Sequence, residues 1–263
     1  MQPTTLGPNM TGATLAPAAL AAMTQATEEL TPFQEIDTSE MASQKLAYIE
    51  DADAVGSIPV PTSLKGMAKS GVSKLKGKHP GVFLDKLGER LAYERTGARL
   101  YDALILKYNA AAQMAKGEVL PAILIQAEDG KSRPQAPAEQ LLHRIRSEEL
   151  EHFQLLSDAI VAMGGDPTSQ TPCADVTALA SSGFMQVLND PRTTLAQCLN
   201  AILTAELTDN AGWELLSSLA DTTGESELAG RFLGALAQEQ QHLLVIKNWL
   251  AAIVVDDPNP KIL

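Results

Sequence analysis

The chain has 263 residues, 45% of them apolar and 20% charged, which is enough for one large domain or two small ones. The formal net charge of −12 argues against non-specific binding to nucleic acid; it suits a protein that attracts cations, although solubility alone would explain it equally well. Aromatic residues make up only 4%, and alanine and leucine abound, so helix is favoured over strand.

Cysteine content and hydropathy limit the location of the protein. Cys173 and Cys198 are too few for a disulfide framework, and neither belongs to a Cys-x-x-Cys pair that would bind zinc or a rubredoxin-type iron. Residues 1–22 lack a basic start and make a poor secretory signal, and no uninterrupted run of about 18 apolar residues is present. We therefore expect a cytoplasmic protein with free thiols and no membrane contact.

Residues 1–80 differ in composition from the rest and predict an N-terminal extension. Residues 1–31 read as a flexible or loosely docked tail, 38–49 as a short helix, and 56–61 as an extended or turned segment with two prolines. A lysine-rich segment follows, which either binds an anion or a partner or is a solvated linker or an arm folded against the acidic body. Its lysines are Lys65, Lys69, Lys74, Lys76 and Lys78.

Four long segments with apolar residues at steps of three and four predict helices: segment A over 83–116, B over 138–163, C over 192–220 and D over 225–254. Gly164 and Gly165 should end B, Gly224 should separate C from D, and Asp190-Pro191 should start C. A short amphipathic piece over 176–188 lies in the long B–C connection. The predicted fold is all-α: a four-helix bundle over 81–257, followed by a tail over 258–263.

Each segment carries a glutamate near the centre of its apolar stripe. Segments B and D carry a Glu-x-x-His tetrad, whose two side chains share one helix face. Buried carboxylates are costly unless they are paired or coordinated, and two divalent ions would neutralise four of them. The candidate metal ligands are Glu94, Glu149, His152, Glu206, Glu239 and His242.

The donor types favour iron or manganese, because carboxylates and imidazoles without thiolates suit these metals better than zinc, calcium or magnesium. The alternative is that these side chains lie on solvated surfaces, which conflicts with their positions on apolar stripes. In segment B only Glu149 precedes the histidine by three residues, so we expect Glu148 and Glu151 to face solvent. In segment A we favour Glu94 over Glu89.

This ordered set of glutamates and Glu-x-x-His tetrads, spread over residues 83–254, resembles the ferritin-like superfamily, specifically its bacterioferritin and rubrerythrin-type di-iron carboxylate proteins. The resemblance implies that the glutamates of the two tetrads, Glu149 and Glu239, bridge the irons. The remaining ligands then divide into two pairs, one for each metal. Those pairs are Glu94 with His152 and Glu206 with His242.

Other positions follow or depart from the family pattern. Tyr101 matches a tyrosine that donates an electron in bacterioferritins, but it could equally be a core tyrosine with a satisfied hydroxyl. Asp209 could orient a histidine or lie on the surface. Leu150 replaces the haem-binding methionine, so we expect no haem. The rubredoxin module is missing, and the extension argues against a compact storage cage.

The expected function is a di-metal centre, with two iron ions, two manganese ions or one of each, that reacts with dioxygen or peroxide. It would act as a ferroxidase, or as an oxidase with a small-molecule substrate and an electron donor. The alternatives are iron storage in an oligomeric assembly, a metal-stapled binding protein that docks a partner through its lysines, and a manganese catalase. Whether the protein is an enzyme stays open, with an oxidoreductase favoured.

Overall fold

The computed structural model describes residues 16–31, 37–59, 80–123 and 136–255. These ranges contain seven α-helices and no strand, apart from an isolated antiparallel bridge between Ile123 and Ala136, so the predicted all-α class is confirmed. The helices are α1 (Pro17–Leu30), α2 (Ser39–Asp51), α3 (Pro80–Ala115), α4 (Ala138–Ala162), α5 (Pro172–Asn189), α6 (Leu195–Thr223) and α7 (Ser226–Val254). None of them combines the length and hydropathy that a membrane span requires.

The first of two compact units covers Met1–Ala54 and contains α1 and α2, neither of which buries a residue. Helix α2 matches the predicted short helix, whereas α1 was not predicted. Pro17 at its first turn and several alanines favour helix. Because α1 buries no residue, however, its sequence lacks the apolar stripe from which an amphipathic helix is predicted. The lysine-rich segment and the C-terminal tail lie outside the described residues.

The second unit covers Val55–Leu263. Helices α3, α4, α6 and α7 correspond to segments A to D, and α5 extends the predicted amphipathic piece in both directions. Gly164 and Gly224 have φ angles of 85° and 81°, so these glycines adopt the left-handed conformation that commonly follows a helix, as predicted.

The predicted start of segment C was wrong. Helix α6 begins at Leu195, because Thr194 and Gln197 form a capping box in which each side chain binds the other residue's backbone N–H. Asp190 instead ends α5, and its carboxylate accepts hydrogen bonds from the backbone and side chain of Arg192. The Asp-Pro pair therefore lies in the turn between two helices.

The long helices pack so that two apolar clusters are separated by one polar layer. Helix α3 packs against α4, α5 and α6, α6 packs against α7, and α4 touches α7. One cluster contains Leu104, Leu142, Leu199 and Trp249, and the other contains Leu87, Leu156, Trp213 and Phe232. On each of the four helices the predicted ligands lie between the residues that belong to the two clusters.

Candidate metal centre

All six predicted ligand side chains are buried, with exposed fractions of 0% to 3%. They come from four helices and lie at one depth between the two apolar clusters. The solvated-surface alternative therefore does not apply. The residues are Glu94 on α3, Glu149 and His152 on α4, Glu206 on α6, and Glu239 and His242 on α7.

The donor atoms of these residues form two groups that share one carboxylate. In the first, here called the His242 site, donor atoms of Glu149, Glu206, Glu239 and His242 lie within 4.8 Å of one another. In the second, here called the His152 site, Glu94 and His152 join Glu239 within the same limit. Glu239 thus belongs to both donor groups. Glu149 also approaches Glu94 and Glu239 in a further group that includes Asp209.

Both imidazoles direct Nδ1 into the centre. The Nε2 atom of His152 lies 2.8 Å from Oε1 of Gln238, and Nε2 of His242 lies 2.9 Å from Oε2 of Glu148. An amide oxygen and a carboxylate oxygen only accept hydrogen bonds, so each Nε2 carries the hydrogen. In the neutral imidazole the Nδ1 lone pair is then free to bind a metal, in the histidine arrangement found at many metal sites.

Several polar atoms that face the centre lack hydrogen-bond partners among the described residues, although Nδ1 of His242 lies 3.1 Å from Oε2 of Glu239. The atoms without partners are Oε2 of Glu94, Glu149 and Glu206, Oε1 of Glu239 and Nδ1 of His152. The last two atoms are 2.6 Å apart without hydrogen-bond geometry. Unpaired buried oxygens are costly, and lone pairs that converge on one point are the arrangement that a common cation requires. The donor set therefore fits divalent iron or manganese.

Gly97 on α3 leaves room for the carboxylate of Glu149. A Cβ atom at this position would lie 2.1 Å from Oε2 and 3.0 Å from the carboxyl carbon of Glu149, closer than atoms approach. The absent side chain thus lets the α4 glutamate reach the interior between α3 and α7. This glycine was not singled out from the sequence, because nothing in the periodicity of segment A distinguishes it.

A buried arginine at the edge of the centre was also missed. Arg90 is 3% exposed, and its Nη2 atom donates hydrogen bonds to the carboxylates of Glu94 and Asp209. Asp209 therefore neither orients a histidine nor lies on the surface; it holds Arg90. Gly212 makes room for the guanidinium, since a Cβ there would lie 2.4 Å from Nη1. The signal available in the sequence was the spacing, because Arg90 precedes Glu94 by one helical turn.

Aromatic side chains enclose the same region. The guanidinium of Arg90 lies over the rings of Tyr93 and Trp213, at 4.6 and 5.7 Å from their centroids. Trp213 also meets His152 edge-on at 5.4 Å. The Tyr101 hydroxyl donates to Glu206, so this tyrosine has a satisfied hydroxyl and touches a predicted ligand. Its role as an electron donor stays a prediction.

Burial and neighbouring charges raise the pKa values of four of the six predicted ligands. Burial, together with the charge of Glu239, raises the pKa of Glu149 to about 8, and the same two causes raise that of Glu206 well above its usual value. Burial opposes the charge on His152, but the nearby carboxylates of Glu239 and Glu94 outweigh this and raise its pKa to about 11. The pKa of His242 is raised well above its usual value in the same way, by Glu239 and Glu148.

The neighbouring glutamates divide between the centre and the surface. Glu151 is exposed, as expected, but the expectation that Glu148 faces solvent was wrong, because Glu148 turns toward α7 and accepts the hydrogen bond from His242. Glu89 pairs with Lys86 and belongs to neither donor group. Glu148 and Gln238 each directly precede a tetrad glutamate, so the internal repeat in the sequence already contained this signal.

Comparisons with models of protein families, with curated proteins and with solved structures found no match to this chain. The resemblance to the ferritin-like superfamily therefore rests on the residues of the centre alone, and the metal ligands assigned from it stay predictions.

Proposed function

We propose that the protein binds two divalent ions of iron or manganese in a ferritin-like four-helix bundle and reacts with dioxygen or peroxide. The proposed bundle consists of α3, α4, α6 and α7, with α5 lengthening the connection between its second and third helices. The observation that carries this proposal is the buried layer of four glutamates and two histidines, in which each glutamate keeps one carboxylate oxygen without a hydrogen-bond partner among the described residues.

The chain's own residues would perform four tasks. The carboxylates bind and balance the charge of the ions, and Glu148 and Gln238 orient the imidazoles through Nε2. The apolar clusters on both sides exclude water from the layer. Tyr101 holds a proton against Glu206 because burial and the nearby carboxylates raise the pKa of its phenol well above its usual value. The bound metals would supply the electrons that reduce dioxygen or peroxide.

The reaction would be that of a ferroxidase if ferrous iron is itself the substrate, and that of an oxidase if an organic molecule is oxidised. The test is to load the purified protein with ferrous iron under anaerobic conditions, count the metal per chain, and admit oxygen while following absorbance. We expect about two ions per chain and fast oxidation, in line with the two donor groups. A protein that binds neither iron nor manganese would refute the proposal.

The variant Glu239→Ala sharpens this test, because Glu239 belongs to both donor groups. We expect it to lose both ions and the oxidation. Glu151→Ala is the matched control: it removes a glutamate from the exposed side of α4 and should retain both. Circular dichroism of the two variants would separate loss of metal from loss of fold.

A second function is supported by the position of the layer. Since the ligands come from all four long helices and lie between two separate apolar clusters, bound ions could instead stabilise the packing of these helices. In that case metal would raise the unfolding temperature, but ferrous iron would be oxidised in air no faster than in buffer alone.

A further inference from the structure

We propose that the two ion sites are unequal and fill in a fixed order, the His242 site first and the His152 site second. Arg90 sets this order because it forms an ion pair with Glu94, a ligand of the His152 site, and with none of the carboxylates of the His242 site. The inference rests on the proposed function, because it concerns how the same centre is loaded. It goes beyond it by assigning a role to Arg90 and by making the difference between Glu148 and Gln238 a cause of unequal affinity.

The first observation is the placement of Arg90. Its guanidinium is bound to Glu94, a ligand of the His152 site, and is fixed by Asp209 and by two aromatic rings. Arg90 therefore shares its charge between Glu94 and Asp209, and its contact with Glu94 makes this carboxylate a weaker ligand for a second cation. Such charge effects are strong where water is excluded. The donors of the His242 site include Glu149 and Glu206, and neither of these carboxylates pairs with Arg90.

The second observation is independent and points in the same direction. His242 donates its Nε2 hydrogen to a carboxylate, that of Glu148, whereas His152 donates to the neutral amide of Gln238. A carboxylate partner makes an imidazole a stronger ligand than an amide partner does. The two halves of the chain therefore place a hydrogen-bond acceptor at the same position beside each histidine, but this acceptor is charged in one half and neutral in the other.

The probe for the test is manganous ion under anaerobic conditions, with calorimetry for affinity and the electron paramagnetic resonance signal of free manganese for stoichiometry. We expect two binding steps whose dissociation constants differ by roughly tenfold or more. His152→Ala should abolish the weak step and keep the tight one, while His242→Ala should abolish the tight step. The opposite assignment would overturn the order of filling.

Substitutions at the two residues that accept the histidine hydrogen bonds test the second cause, the charge of the acceptor. Gln238→Glu gives His152 a carboxylate partner and should tighten the weak step by roughly tenfold; Glu148→Gln should weaken the tight step by a similar factor. Matched controls make the same chemical changes at exposed positions of the same helices. These controls, Gln240→Glu on α7 and Glu151→Gln on α4, should leave both steps unchanged.

The double variant Arg90→Met with Asp209→Asn removes both charges of the pair, so that neither is left buried alone. We expect the weak step to tighten and to approach the tight one. If this variant does not fold, His152→Ala and His242→Ala still decide the order of filling, and the exchanges at Gln238 and Glu148 still test the second cause. Two equal steps in the native protein would overturn this inference and leave the di-metal site intact, whereas a protein that binds neither manganous nor ferrous ion would overturn both proposals.

Discussion

Glu148 on α4 accepts a hydrogen bond from Nε2 of His242 on α7, across a distance of 2.9 Å. Gln238 on α7 does the same for His152 on α4, at 2.8 Å. Each tetrad histidine is thus held by the residue that precedes the tetrad glutamate of the other helix. This exchange fixes which imidazole nitrogen faces the centre and links α4 to α7, two helices that otherwise make few contacts.

Metal affinity should increase with pH. In the metal-free protein the pKa values of Glu149, about 8, and of His152, about 11, lie above their usual values, and those of Glu206 and His242 are raised as well. An incoming dication must displace the protons that these ligands hold, and this becomes easier as pH rises. Calorimetry in two buffers of different ionisation enthalpy should show that protons are released when the ions bind. Binding without proton release would contradict the protonated centre.

Gly97→Ala should abolish metal binding. The added methyl group would lie 2.1 Å from Oε2 of Glu149 and force that carboxylate out of the layer. Metal content after loading measures the effect, and thermal unfolding shows whether the fold is retained. The matched control is Gly230→Ala on α7, where an added Cβ meets nothing within 4 Å. At this exposed helical site we expect a stabilisation of up to about 1 kcal/mol and full metal content.

Arg90→Met alone should be strongly destabilising, because it leaves the carboxylate of Asp209 buried without its cation. Removing one partner of a buried ion pair typically costs about 3–5 kcal/mol in the free energy of unfolding. Adding Asp209→Asn should recover much of that loss, since the second charge is then gone as well. Urea denaturation of the metal-free single and double variants measures both values. Equal stabilities of the two variants would mean that the pair is not coupled.

Tyr101→Phe should leave two ions bound, because the variant keeps every carboxylate and imidazole of both donor groups. The variant removes a hydrogen bond to Glu206 in a buried position, for which we expect a loss of about 1 to 3 kcal/mol in the metal-free protein. If Tyr101 also supplies an electron, iron oxidation will slow and a tyrosyl radical signal of the native protein will disappear. Unchanged oxidation with lower stability would assign Tyr101 a structural role only.

Removal of metal should lower the unfolding temperature reversibly. Ligands that bind only the folded state stabilise it by about 2.7 kcal/mol at a free concentration a hundredfold above the dissociation constant. Thermal scans with a chelator, and again after manganese is restored, measure the difference. Glu239→Ala should show no response to either treatment, since it removes the carboxylate that both sites share.

The sequence predicted the helices and ligands that leave a periodic signal. Glu94, Glu149, Glu206 and Glu239 interrupt apolar stripes, and a charged residue at a core position is conspicuous in any helical pattern. The four long helices were bounded to within a few residues for the same reason. Helix α1 left no such signal because it buries nothing, and the start of α6 depended on a choice between two plausible caps.

The residues that surround the ligands could not be predicted in the same way. Arg90 pairs with Asp209 from a helix more than a hundred residues away, and one sequence does not specify which buried charges meet. Gly97 and Gly212 matter through the space they leave, which depends on how closely neighbouring helices approach. Glu148 was misplaced because three glutamates within four positions of α4 compete for the same face, and only the position of α7 decides among them.

Each donor group takes its residues from both halves of the chain, so neither half should form a metal site as a separate fragment. One donor group combines Glu149 with three residues from α6 and α7, and the other combines Glu94 and His152 with Glu239. A fragment that ends before α5 would thus carry a complete Glu-x-x-His tetrad and still be unable to assemble either site. Co-expressed fragments should recover the metal only when they reassociate, which makes bound manganese a direct reporter of complementation.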